Sequence, residues 1–231
     1  MIWRAPAIWD GGECFVIGGG ESMPRQFGIP EDVIAKVTSG EARPSAYSTY
    51  LSPIHDRHVI GVNNAYMLGT WLDAVFFGDC AWYNVHRLKL AEWPNLKVTC
   101  CNRFENRPPQ SMEGIKYLKK DSNHRQGISR DRRKVSWNSN SGAAAISLAC
   151  HFGVRRIVLL GFDMNLGWGG ASHWHRGHGN KKQPFKKHLR GFPAIAEDAR
   201  ALGVEILNAN PRSAIDAFPK VELKEVLNDS G

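Results

Sequence analysis

The sequence predicts a doubly wound α/β protein, a mainly parallel sheet with helices on both faces, and three observations lead there. Its strand-like runs are short and continuously apolar, the pattern of strands covered on both sides. Helical patterns alternate with those runs, as chain crossovers between parallel strands require. Several runs also pass directly into Gly, Asn or Asp, at the edge where open α/β sheets receive their ligands.

In chain order the strands are expected at 13–17, 58–62, 74–77, 96–100, 156–160 and 204–207, and the helices at 30–38, 80–92, 141–152, 192–202 and 221–227. The clearest unit is 139–163. A serine cap opens a helix with Ala145, Leu148, Ala149 and Phe152 on one face, Gly153 stops it, and a strand follows. A second such unit runs from 193 to 208 with Gly203 as the stop. Residues 40–57 and 102–136, with their prolines, glycines and charges, read as excursions from the core, and 164–187 as a lid-like insertion.

A chain of 231 residues, 42% hydrophobic and 23% charged, fits one domain over 1–231 that buries roughly 70% of its unfolded surface. No apolar run approaches the ~20 residues of a membrane span, and no leader-like segment opens the chain. Five cysteines, an odd number without C-x-x-C spacing, suit buried thiols in a reducing, cytoplasmic setting. The net charge of +8 favours an anionic partner. Its basic residues gather at 116–134 and 176–190, either as solvated loops or as phosphate-facing segments.

Candidate chemistry lies at the strand ends. Gly18, Gly19 and Gly20, followed by Ser22, form a sharp turn that lets backbone N–H groups approach a phosphate, although the spacing is neither G-x-G-x-x-G nor a Walker motif. Asn63 and Asp79 end the next two strands, where they serve either a turn or a ligand. Ser141 and Gly142 open a helix whose N-terminus suits an anion. Asp163 closes the strand at 156–160 and suits a ribose, a metal or a backbone amide. His173 and His175, with His178, crowd a glycine-rich loop and suit acid-base chemistry or phosphate contact better than zinc, since no cysteine is near. His188 sits among Lys186, Lys187 and Arg190, cations that disfavour its protonated form and so favour a general base.

Taken in order, Phe15-Val-Ile-Gly-Gly-Gly-Glu-Ser22, Val62-Asn63, Phe77-Gly-Asp79, Ser139-Asn-Ser-Gly142, Ile157-Val-Leu-Leu-Gly-Phe-Asp163 and Asn210-Pro-Arg-Ser213 resemble the bacterial sialyltransferase family that uses CMP-sialic acid. The series is similar also to the archaeal-type hydroxymethylpterin diphosphokinase family, and to tailed-phage proteins that share the His-Trp-His loop. The resemblance implies a Rossmann-like domain in which the glycine turn, Asn63 and Ser141-Gly142 hold a nucleotide-activated donor and His188 is the base. The chain departs from the sialyltransferases at Gly19 and Glu21, where they carry Asn and Pro, and 164–187 contains no tyrosine.

The expectation is a nucleotide-sugar-dependent glycosyltransferase with a modified DNA base or a surface glycan as acceptor. An ATP- and magnesium-dependent diphosphotransferase holding its metal through Glu21, Asp79 or Asp163 is the alternative, and a nucleotide-sequestering protein without catalysis the third reading.

Overall fold

The computed structural model describes residues 2–107, 114–167, 172–176 and 184–228. Nine strands form: β1 (Glu13–Ile17), β2 (His58–Val62), β3 (Ala74–Phe77), β4 (Leu96–Thr99), β5 (Ile115–Tyr117), β6 (Lys119–Lys120), β7 (Lys134–Val135), β8 (Arg156–Leu160) and β9 (Glu205–Asn208). Seven of them make one sheet in the order β5-β4-β3-β2-β1-β8-β9, every neighbouring pair parallel, while β6 and β7 pair separately. The architecture is the expected Rossmann-like α/β fold. The three strands that the sequence did not announce, β5 to β7, lie within the 102–136 excursion. Each is two or three residues long and carries lysine, too short to generate a periodicity.

Alternate residues of each strand face opposite sides, and both sides are covered. Phe15, Ile17, Val75, Phe77, Val158 and Leu160 meet α1 (Ser22–Gln26), α2 (Glu31–Ser39), α3 (Cys80–Glu92) and the C-terminal α7 (Leu223–Asn228) on one face. Cys14, Val16, Ile60, Phe76, Val98, Ile157 and Leu159 meet α4 (Ser141–His151) and α6 (Phe192–Leu202) on the other. The excursion at 40–57 is not a surface loop. Its 3-10 segment Pro44–Ile54 inserts Tyr47, Leu51 and Ile54, all fully buried, into the first of these layers.

The cap of α4 differs from expectation. Asn138 and Ser139 both have left-handed backbone (φ 51° and 54°), which turns the chain one residue later. Asn140 is therefore the cap, and its Oδ1 accepts from the amides of Gly142 at 2.8 Å and Ala143 at 3.4 Å. Of the 164–187 insertion, 168–171 and 177–183 lie outside the described residues, and His178 with them. Among the described residues no helix is long and apolar enough to cross a membrane.

Cysteine usage needs a correction. Cys80 and Cys101 form a disulfide with 5.4 Å between Cα atoms, which removes the argument from free thiols to a reducing compartment. Linear spacing hid the pair because 21 positions separate the two residues. They meet because one follows β3 and the other follows β4, adjacent strands in register at Phe77 and Thr99. Cys14, Cys100 and Cys150 are free, and burial pushes the Cys100 and Cys150 thiols up to about 12.

Thiol titration of the denatured, unreduced chain should find three reactive groups, and replacing Cys80 and Cys101 together by serine should lower unfolding stability by about 2–4 kcal/mol in a denaturant titration.

Candidate functional site

Strand order reverses in the sheet between β1 and β8, since the strands after β1 build outward on one side and β9 builds outward on the other. A crevice opens at such a switch point, beyond the carboxyl ends of the strands. Here it is a cavity of about 410 Å³. Gly18, Gly19, Gly20, Asn63, Asp79, Ser141, Gly142, Asp163, His173, His175 and His188 line it, so residues spread over the chain from 18 to 188 share one space. Ser22 does not line it.

The glycine turn is held from below. Gly18 and Gly20 donate their amides to the carbonyls of Leu160 and Gly161, each at 2.8 Å, so the loop after β1 lies on the loop after β8. Asp163, 4% exposed, accepts from the Ser22 amide at 3.0 Å, the Ser22 hydroxyl at 2.5 Å and Asn210 Nδ2 at 2.8 Å. Among the uses that its position suggested, the carboxylate takes the backbone amide, with two side chains in addition. Gly20 follows from this clamp. A Cβ there would stand 2.5 Å from the carboxylate, closer than packing allows. Glu21, whose charge would repel a phosphate, is ion-paired with Arg25 and lines a neighbouring recess with Ser22.

The segment 172–176 docks on the same turn. Trp174, 1% exposed, donates its indole N–H to the Gly18 carbonyl at 2.8 Å and its backbone amide to that of Gly19 at 3.1 Å. With Trp174 in the core, His173 and His175 stand together over the cavity, rings stacked at 5.3 Å. His173 Nδ1 donates to the Gly19 carbonyl at 3.2 Å.

The tautomer of His175 follows from a residue that the candidate set did not include. The indole of Trp82 can only donate, and it donates to Asn64 Oδ1 at 2.6 Å, which turns Asn64 Nδ2 toward His175 Nδ1 at 3.1 Å. Nδ1 is thereby an acceptor and the proton resides on Nε2. The Arg176 carbonyl lies farther from Nδ1, at 3.3 Å, and does not reverse this, because the Asn64 orientation is fixed from the other end.

Two amide groups reach the cavity with hydrogen-bonding capacity to spare. Asn63 Oδ1 and Asn140 Nδ2 are buried and have no partner among the described residues. A buried polar group left unmatched costs about 1–3 kcal/mol, so these atoms await a ligand or water. Left-handed backbone at non-glycine residues concentrates at the same place. Of the four described instances, Asn63, Ser139 and Met164 line the cavity and Asn138 adjoins Ser139. Such conformations cost on the order of 1–3 kcal/mol each and cluster at working sites.

Asp79 lines the cavity while its Oδ1 caps α3, accepting from Ala81 N at 2.7 Å. His188 lies on the short α5 (Phe185–Leu189), half-buried. Burial, and then the adjacent Lys187 charge, hold its pKa below the usual 6.5. Trp137 and Phe162 complete the walls. Trp137 went unnoticed in the sequence, where the only sign was an aromatic just ahead of Ser139-Asn-Ser-Gly142. It packs so closely on Gly78 that any Cβ there would overlap the indole. Among the described residues no group of three His, Cys, Asp or Glu side chains is arranged to hold a metal.

No protein-family model matches the chain, and no curated protein matches its sequence. Solved structures do match. The MAf glycosyltransferase from Magnetospirillum magneticum AMB-1 is 12% identical with a TM-score of 0.59, over 95% of this chain and 35% of that one. The likeness is one of fold. The chain spans about a third of the MAf length. The sialyltransferase CstII from Campylobacter jejuni, in complex with cytidine-5'-monophosphate, is 13% identical with a TM-score of 0.49, over 91% of this chain and 84% of that one. Its complex with CMP-3FNeuAc gives the same identity and TM-score over 86% of that chain.

Gly20→Ala should destabilise the fold by about 1–3 kcal/mol in a denaturant titration, because the Asp163 clamp has to open to admit the methyl group. Stability should also fall on acidification. Burial lowers the pKa of His151, whose Nε2 donates to the Lys134 carbonyl at 2.8 Å, and that of His188. The unfolded chain takes up both protons first, so this contribution is complete above about pH 6.5 and is lost as pH drops below it, which urea midpoints across that range will measure.

Proposed function

We propose that the chain transfers a sugar from a nucleotide-activated donor to an acceptor hydroxyl in a single displacement. One observation carries this reading: a half-buried imidazole with a lowered pKa, His188, shares the switch-point cavity with a glycine turn and two unmatched amides, Asn63 and Asn140. A base, a phosphate cradle and groups able to read a nucleoside are the parts that such a transfer needs.

In this scheme the glycine turn, through the Gly19 amide, and the Ser141 hydroxyl at the start of α4 receive the donor phosphate, while Asn63 Oδ1 and Asn140 Nδ2 bind base or ribose. Trp137 and Phe162 offer aromatic faces beside them. The acceptor oxygen forms a bond to the anomeric carbon as the bond from that carbon to the phosphate oxygen breaks, and its electron pair leaves with the nucleotide. His188 takes the acceptor proton. Nε2–H of His175 and the start of α4 meet the charge that develops on the leaving phosphate. The fold shared with MAf, a glycosyltransferase, supports the reading, as does the likeness of the sequence motifs to the sialyltransferases. A shared fold alone permits other chemistries.

Diphosphoryl transfer from ATP and magnesium would draw on Glu21, Asp79 and Asp163. Glu21 is paired with Arg25 outside the cavity, Asp163 binds Ser22 and Asn210, and Asp79 caps α3. These engagements favour the sugar transferase.

Thermal shifts with CMP, UDP, GDP, ATP and their sugar conjugates, each with and without magnesium, test the assignment. One nucleotide and its conjugate should stabilise the chain regardless of magnesium, by about 2.7 kcal/mol at 100 times Kd. Stabilisation by ATP with magnesium alone would transfer the assignment to the diphosphotransferase, and no shift at all would remove the nucleotide site. His188→Ala should retain nucleotide binding and lose about 10²- to 10⁴-fold in turnover, whereas a sequestering protein would show no turnover to lose. Activity should rise with pH along an acid limb centred below 6.5, and Lys187→Ala should move that limb upward, because it removes a charge that disfavours the imidazolium.

A further inference from the structure

Beside the cavity lies a second recess of about 490 Å³, separated from it by Trp137 and Ser139, which line both. Lys120, Arg125, Lys187 and Arg190 converge on it, and none of the four is ion-paired among the described residues. Lys120 Nζ rests 4.3 Å over the Trp137 ring, so a cation reaches the shared wall itself. The single carboxylate in the recess, Asp121, is engaged in its own loop. It accepts from Ser129 Oγ at 2.7 Å and from the amides of Asn123 and His124, and these bonds hold its pKa low. Four like charges around one hollow repel one another unless an anion sits among them.

The position of α5 connects the recess to the chemistry. Lys187 faces the recess while His188, the next residue, faces the cavity. Trp137 and Ser139 border both spaces, so a molecule seated in the recess by an anionic group lies along the edge it shares with the cavity that His188 lines.

We propose that this recess is the acceptor subsite and that it takes a compact anion, a phosphate or carboxylate carried by a sugar-sized acceptor, whose hydroxyl is thereby directed to His188. The inference rests on the transferase reading for the role of the site, but not for its occupancy by an anion. Its volume matches a small-molecule pocket and its cations converge on one hollow, whereas a duplex would need cations laid out along an open strip.

Isothermal titration of the full chain with glucose 6-phosphate, with glucose and with a short DNA duplex separates the possibilities. Glucose 6-phosphate should bind and glucose should not. Arg125→Gln with Arg190→Gln should weaken the sugar phosphate by at least about tenfold, and Lys120→Gln with Lys187→Gln should do so independently. Asn63→Ala should leave that affinity unchanged, and any nucleotide found by the thermal-shift panel should bind alongside the sugar phosphate rather than displace it. Unaltered affinity in both double variants would overturn the subsite. Competition between the sugar phosphate and the nucleotide would overturn it too, by assigning the recess to the donor. Tighter binding of the duplex, with a salt dependence reporting several phosphates, would replace it with a nucleic-acid face. Because glucose 6-phosphate is read without nucleotide, failure of the nucleotide site and failure of the recess give different results.

Discussion

The carboxylate of Asp163 binds together three segments that leave the sheet at different strands: its own loop after β8, Ser22 after β1 and Asn210 after β9. A hydrogen bond to a buried charge contributes about 1.5–3 kcal/mol, and removing one side of such a bond costs more than the bond supplies. The glycine turn keeps its course over Gly161 because of this junction. In turn, the carbonyls of Gly18 and Gly19 anchor Trp174, and Trp174 sets the pair of histidines over the cavity. One buried charge thus determines the floor of the site and, two steps removed, its roof.

Strained backbone and unmatched polar atoms fall where this scaffold is most firmly held. Asn63 and Ser139 occupy left-handed conformations at the cavity wall, and the free ends of Asn63 and Asn140 point to groups that the chain itself does not supply. The aromatic walls are firmly held too, since Trp137 is fixed against Gly78 and cannot close over an empty space.

Much of this was legible in the sequence, for a definite reason. Continuous apolar runs report burial on both faces, so the six longer strands and the longer helices stood out, with α3 and α6 matching to the residue, while the five-residue α1 and α5 did not. Polar residues at the ends of such strands have one place to go, and Gly18 to Gly20, Asn63, Asp79 and Asp163 accordingly converge. Partner identity was not legible. Nothing in the order of residues says that Cys80 meets Cys101 or that Asp163 binds Ser22 and Asn210, because these pairings depend on which strands are neighbours. The α4 cap was missed by one residue because two consecutive left-handed residues carry no distinctive composition.

The close contact between Gly78 and the Trp137 indole constrains both positions at once. Position 78 follows β3 and position 137 precedes α4, so the two are far apart along the polypeptide yet occupy a single volume. Across descendants of a common ancestor they should vary as a unit, with glycine retained wherever the indole persists and side chains admitted at 78 only where 137 has become small. Such a correlated pair is independent of overall identity, and it offers a means of tracing kinship among sequences too divergent to align by their motifs.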